Sequence, residues 1–187
     1  MQAVTRFYKA SSTRKIVRYS IAFVAGILLV FIGIKGYNFY RLSPERLYLE
    51  QYNYFELTTA RRDNEPGSSA IEKAYVAKEY QKVIDLKKRA TKISIGEHFV
   101  TGLSYLELDD PFDAIHSFSS VISQDKASGK ETYRDQAEFY LALAYLKNKD
   151  YDQALELMKN IHNDPRHLYH DKFSNSFIRK IKMLKWR

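Results

Sequence analysis

The feature that most constrains this chain is an almost unbroken apolar run, Ile16 to Ile34, in which only Arg18 is charged. From Tyr19 it reads YSIAFVAGILLVFIGI, with no charge until Lys35. A bilayer's hydrocarbon core needs roughly 20 apolar helical residues. The run therefore predicts a membrane-spanning helix from Tyr19 to Tyr40, a lipid-embedded anchor. Arg18 and Lys35 can snorkel to the headgroups from its two ends. Tyr19 at one edge and Tyr37, Phe39 and Tyr40 at the other fit an aromatic belt. Gly26 and Gly33 share a face but form no G-x-x-x-G pair, so no dimerisation motif is present. Two other readings compete. A cleaved secretory signal has an apolar core of about 7–15 residues followed by a small-residue cleavage site, whereas this run is longer and leads into the bulky KGYNFYRL. A helix buried in a core needs a domain able to cover it on every side, and the polar remainder is too small for that.

Flanking charge sets an orientation. Arg6, Lys9, Arg14, Lys15 and Arg18 precede the run with no acidic residue among them, while Lys35, Arg41 and Arg46 follow it together with Glu45 and Glu50. The positive-inside rule then places the N-terminus in the cytoplasm and the larger part of the chain outside it. The expected location is the inner (cytoplasmic) membrane, single-pass, with the C-terminal domain periplasmic. The formal charge of +8 also shrinks: without the five basic tail residues, 25 basic residues face 22 acidic ones. That near balance argues against nucleic acid as a partner. The basic tail is better matched to anionic lipid. Cysteine is absent and there is no N-x-S/T sequon, so neither disulfides nor N-glycans enter the reading.

Beyond the run, apolar residues recur at helical rather than alternating spacing. The pattern predicts an all-α chain with helices over residues 44–54, 69–77, 80–91, 95–106, 111–123, 132–147, 151–161 and 172–186. Asp110 before Pro111 is a helix-start signal. Residues 64–68 and 125–130 read as turn-rich linkers. The last helix carries Phe173, Phe177, Ile181 and Leu184 on one stripe, with Lys180, Lys182, Lys185 and Arg187 on the rest. It reads as a cap over the last apolar face, with a membrane-surface or acidic-partner patch as the alternative.

Two stretches repeat one another. In 135–165 small residues at Ala142 and Ala154 sit among Leu141, Tyr145, Tyr151 and Met158. In 95–124 Gly102, Tyr105, Ala114 and Phe118 take the places of Ala142, Tyr145, Ala154 and Met158. A weaker copy over 64–90 places Tyr80, Val83 and Ala90 against Tyr151, Ala154 and Ile161. On these residues the chain resembles the tetratricopeptide repeat (TPR) family, whose units are helix–turn–helix pairs of about 34 residues. The departures are Glu138 where the family often has Trp, about six extra residues between the two better copies, and Val83 in place of a small residue. The order of anchor, LxxEQYxYFELTTARRD and short repeat array is similar to single-span membrane-anchored TPR proteins of Bacteroidota. It is also similar in architecture to periplasmic TPR chaperones tethered beside the secretion machinery. The expected layout is a basic tail (1–18), an anchor (19–40), a linker with a juxtamembrane helix (41–68), and a short TPR-like solenoid with its capping helix (69–187).

Chemistry-bearing motifs are scarce. No phosphate loop, G-x-S-x-G or H-E-x-x-H is present. His167 and His170, near Asp164 and Asp171, have ligand-like spacing but read as a solvated turn. Asp109-Asp110 reads as helix capping. The chain is therefore expected to be a non-enzyme with no cofactor, metal or small-molecule substrate. The family resemblance places Phe99, Leu103, Phe139, Leu143 and Lys147 on a concave face, where an apolar partner groove is expected instead of the family's carboxylate clamp. Packing of these residues on the preceding linker is the alternative. The function expected is a membrane-anchored adaptor for a partner protein. The alternatives are a tethered periplasmic chaperone and an accessory subunit of a larger membrane complex.

Overall fold

The computed structural model describes residues 19–20, 23–37, 39–57, 69–129 and 132–186. The expected basic tail, 1–18, and the linker residues 58–68 lie outside the described residues. The chain divides into two compact units, Met1–Leu42 and Ser43–Arg187.

In the first unit residues 23–37 are helical. Their large apolar side chains are bare, Phe23 and Leu29 each being 70% exposed. Among the described residues no helix is long and apolar enough to cross a membrane. For the span expected from Tyr19 to Tyr40, no such helix is found among the described residues, of which 19–20, 23–37 and 39–40 are helical. At 1.5 Å per residue, residues 23–37 cover about 22 Å of a hydrocarbon core about 30 Å thick. Residues 21, 22 and 38 of the expected span lie outside those described.

The second unit is built, among its described residues, from eight α-helices and no strand: α1 (Pro44–Gln51), α2 (Ala70–Val76), α3 (Tyr80–Arg89), α4 (Ile95–Glu107), α5 (Pro111–Ser128), α6 (Arg134–Lys147), α7 (Tyr151–Asn163) and α8 (Asn175–Lys185). Their starts are chemically marked. Ser69 and Ser94 each close a capping box with Glu72 and Glu97, and Ser43, Asp110 and Ser174 cap α1, α5 and α8. Each box satisfies two backbone donors that a helix start leaves unpaired.

Helices α2–α3, α4–α5 and α6–α7 form three successive hairpins, and all three turn the same way. Lys78, Asp109 and Lys149 occupy the left-handed region at φ 58°, 61° and 66°. In each turn that residue donates its N–H to the carbonyl three back (Tyr75, Leu106, Leu146). The next residue donates to the carbonyl five back (Ala74, Tyr105, Tyr145). These two bonds terminate a helix and reverse the chain. Aligned on these turns, Gly102 matches Ala142, and Val83, Ala114 and Ala154 coincide. The copies are unevenly spaced because α5 has 18 residues against 10 in α3. The linker expected at 125–130 is corrected accordingly. Helix α5 runs through Ser128, and Gly129 at φ 68° ends it. Asp125 is fully buried and accepts the Tyr133 N–H at 2.6 Å, which ties the helix to the start of α6.

Helices α2, α4 and α6 pack side by side as the first members of their hairpins, and α1 folds back on α6 and α8. The core runs through the unit from Ile71 and Tyr75 to Ile181 and Leu184. Helix α8 covers α7 with Phe177, Ile178, Ile181 and Leu184, all buried. That is the capping position expected of it.

Candidate functional site

The five residues expected to line a partner groove do lie on first helices of hairpins, Phe99 and Leu103 on α4 and Phe139, Leu143 and Lys147 on α6. Phe99, Leu103 and Leu143 are 0% exposed and Phe139 is 1% exposed. The open apolar groove is therefore corrected to a filled one, because the chain covers it from within. Phe55, from the segment after α1, meets Phe99 edge-on at 5.0 Å, while Tyr133 stacks on Phe99 at 5.2 Å. Phe139 stacks with Tyr169 at 4.3 Å and Phe173 at 5.3 Å. Lys147 is not a groove cation. Its ammonium lies 2.7 Å from Asp109 and 3.5 Å from Glu45, and 4.5 Å from the Tyr48 ring centre. It joins α1, the α4–α5 turn and α6 at one point.

What holds the segment after α1 is a set of tyrosines. Tyr140 on α6 donates its hydroxyl to the Asn53 carbonyl at 2.6 Å, and Tyr75 on α2 donates to the Phe55 carbonyl at 2.8 Å. Tyr52 donates to Glu107 on α4. Tyr54 stacks flat on Tyr75 at 5.7 Å, and Phe55 also meets Tyr140 edge-on at 6.4 Å. The cradle thus grips the main chain by two hydroxyls and reads side chains by aromatic packing. Burial, reinforced by neighbouring carboxylates and phenols, raises Tyr48, Tyr52, Tyr75 and Tyr140 well above the usual phenol range. Tyr80, for the same reason, is pushed up to about 12. All of these hydroxyls stay protonated and able to donate at physiological pH. Tyr52, Phe55, Tyr75 and Tyr140 are the residues that sequence reasoning missed. The signal available was the dense aromatic string YNYF at 52–55, just beyond α1.

The histidine cluster resolves into a structural lock. His167 is buried, and its Nδ1 accepts the Tyr169 N–H at 3.1 Å, which leaves the ring proton on Nε2. Nε2 faces Glu138 at 3.4 Å and Asp135 at 3.8 Å. Asp135 also accepts the Leu168 N–H at 2.8 Å, and Arg134 Nε holds Glu138 at 2.9 Å. Glu138, at the position where the family often has Trp, anchors the 164–173 loop to α6. Among the described residues no group of three or more His, Cys, Asp or Glu could hold a metal ion.

Glu138 carries a pH dependence of known sign. His167 beside it, then Arg134, hold its carboxyl below the ordinary 4.5, against the opposing effect of burial. The stabilisation is fully present above the unfolded carboxylate range and is lost as pH falls through the depressed folded value. Glu138→Gln is expected to cost about 1–2 kcal/mol near neutrality. It should also flatten the acid limb of a denaturant-midpoint versus pH curve; an unchanged acid limb would show that Glu138 carries none of it.

Residues 136–165, which span most of α6, its turn and α7, match the family model described as tetratricopeptide repeat. No curated protein and no solved structure matches the chain. The matched unit is a helical hairpin that is similar to a tetratricopeptide repeat, and its turn is repeated bond for bond in the two hairpins before it.

Proposed function

We propose that this chain is a membrane-anchored adaptor that holds a partner protein on the extracytoplasmic side of the inner membrane. The observation that carries the adaptor role is the tetratricopeptide repeat at 136–165 within an array of like hairpins. Stacked helix pairs present extended surfaces, and their motif residues build the stack and perform no chemistry. The anchoring half rests on residues 23–34. Phe23, Val24, Ile27, Leu28, Leu29, Val30, Phe31, Ile32 and Ile34 are each at least 54% exposed. A contiguous apolar surface of that kind marks a partner or a lipid environment. The outward orientation rests on the basic residues before the run, as the positive-inside rule uses them. The filled groove favours an adaptor over a general chaperone, since unfolded clients need open apolar surface and Phe99, Leu103, Phe139 and Leu143 offer none.

Two measurements on the full chain test this reading. In a vesicle flotation assay the chain is expected to float and to resist carbonate extraction; release into the soluble fraction would overturn the anchor. Purified from its own membranes in mild detergent, it is expected to bring a stoichiometric partner. Emergence alone and monodisperse would overturn the adaptor.

A further inference from the structure

We propose that the outward face of α8 is a second, peripheral contact with the membrane, specific for anionic lipid headgroups. Arg179, Lys182, Met183 and Trp186 follow one another at spacings of three, one and three, which puts them on one side of the helix axis. All four are exposed, Met183 by 47% and Trp186 by 87%. The opposite side is committed to the core through Phe177, Ile178, Ile181 and Leu184. The cations of α8 divide the same way. Lys180 is bound to Glu50 at 3.0 Å and Lys185 to Asp152. Among the described residues Arg179 and Lys182 have no such partner.

Charge is segregated along the second unit. Residues 172–187 hold six basic residues and no acidic one, whereas residues 43–171 hold 17 basic and 22 acidic residues. A nearly neutral domain thus concentrates its positive charge in its last helix. Exposed Met and Trp between unpaired cations match the interfacial zone of a bilayer, where indole rings sit at headgroup depth and Lys and Arg meet phosphate. An acidic protein is the poorer occupant. The cleft it would enter, between α7 and α8, is lined by Asp152 and Glu156 as well as Lys159, Lys182, Lys185 and Trp186. A headgroup layer needs only the outer ridge of α8. The inference rests on the anchoring reading only for the presence of a bilayer beside the chain.

Trp186 is the only tryptophan of the chain, so its fluorescence reports this face and nothing else. The full chain is reconstituted with phosphatidylcholine vesicles, or with vesicles containing an equal part of phosphatidylglycerol. With the anionic vesicles Trp186 emission is expected to shift to the blue and to be quenched by lipids brominated on the acyl chain. In phosphatidylcholine alone it should stay water-like. Arg179→Gln with Lys182→Gln is expected to lower the docked-to-free ratio roughly thirtyfold, at about tenfold per 1.4 kcal/mol and about 1 kcal/mol per basic residue. High salt on the unaltered chain should do the same without any substitution. A chain that floats while Trp186 stays water-like in anionic vesicles overturns the docking and leaves the anchor standing. A chain that carbonate strips from the vesicles yet shifts its Trp186 emission overturns the anchor and supports the docking. A shift produced by soluble polyglutamate and not by vesicles assigns the face to an acidic protein and overturns the lipid reading.

Discussion

Phe99→Ala is expected to lower the unfolding free energy of the second unit by about 3–5 kcal/mol, the range for deleting a fully buried aromatic ring. Phe99 is 0% exposed, and its ring meets Phe55, Phe118, Tyr133 and Tyr140 at centre distances of 5.0–6.0 Å. Those four rings come from the segment after α1, from α5, from the turn before α6, and from α6. Removing their common neighbour therefore opens a void where four parts of the chain converge, and none can close it alone. The measurement is chemical denaturation followed by far-ultraviolet circular dichroism. The outcome separates two roles for the residue. A groove residue waiting for a partner would lose binding with little change in midpoint, and a loss under about 1 kcal/mol would contradict the filled groove. Phe55→Ala offers a graded comparison: it removes one ring of the same cluster from the covering segment, so it should cost less than Phe99→Ala.

The difference between the expected and the filled groove shows where sequence reasoning reaches and where it stops. Placing Phe99, Leu103, Phe139 and Leu143 on the first helices of two hairpins required only local information: helical spacing, small residues at Gly102, Ala142, Ala114 and Ala154, and the family's geometry. The structure has them on α4 and α6. What covers them is a long-range matter. Tyr140 and Asn53 are joined by a hydrogen bond across 87 residues of sequence, and no periodicity within either segment signals it. Lys147 failed in the same way, because its partners Glu45 and Asp109 lie on other elements. The end of α5 is an intermediate case. Asp125, Ser128 and Gly129 look like a turn by composition, yet burial of the Asp125 carboxylate against the Tyr133 N–H carries the helix through to Ser128. The capping boxes at Ser69–Glu72 and Ser94–Glu97 have the S-x-x-E form, a local helix-start signal that the sequence reading did not use.

Gly102→Ala is expected to destabilise the unit by about 1–3 kcal/mol, although alanine is the better helix former by about 1 kcal/mol. Packing wins over propensity here because of one neighbour. A Cβ on Gly102 would fall 2.6, 2.8 and 2.9 Å from three carbons of the Phe118 ring, closer than real Cβ contacts come. The ring is itself held, 5.9 Å from Phe99 and stacked 6.0 Å from Tyr140, so it has no free direction in which to move. The corresponding pair in the next hairpin is Ala142 with Met158. A flexible thioether there takes the place of the rigid ring and leaves room for a methyl. Small and large residues are thus paired differently in the two hairpins, glycine with phenylalanine in one and alanine with methionine in the other. It follows that Phe118→Leu should relieve the clash. In a double-mutant cycle Gly102→Ala should cost less in the Phe118→Leu background, with a coupling of about 0.5–3 kcal/mol. Strict additivity of the two changes in denaturant midpoints would mean that the ring and the missing Cβ do not answer one another, and that the small residue at this turn of the repeat is there for another reason.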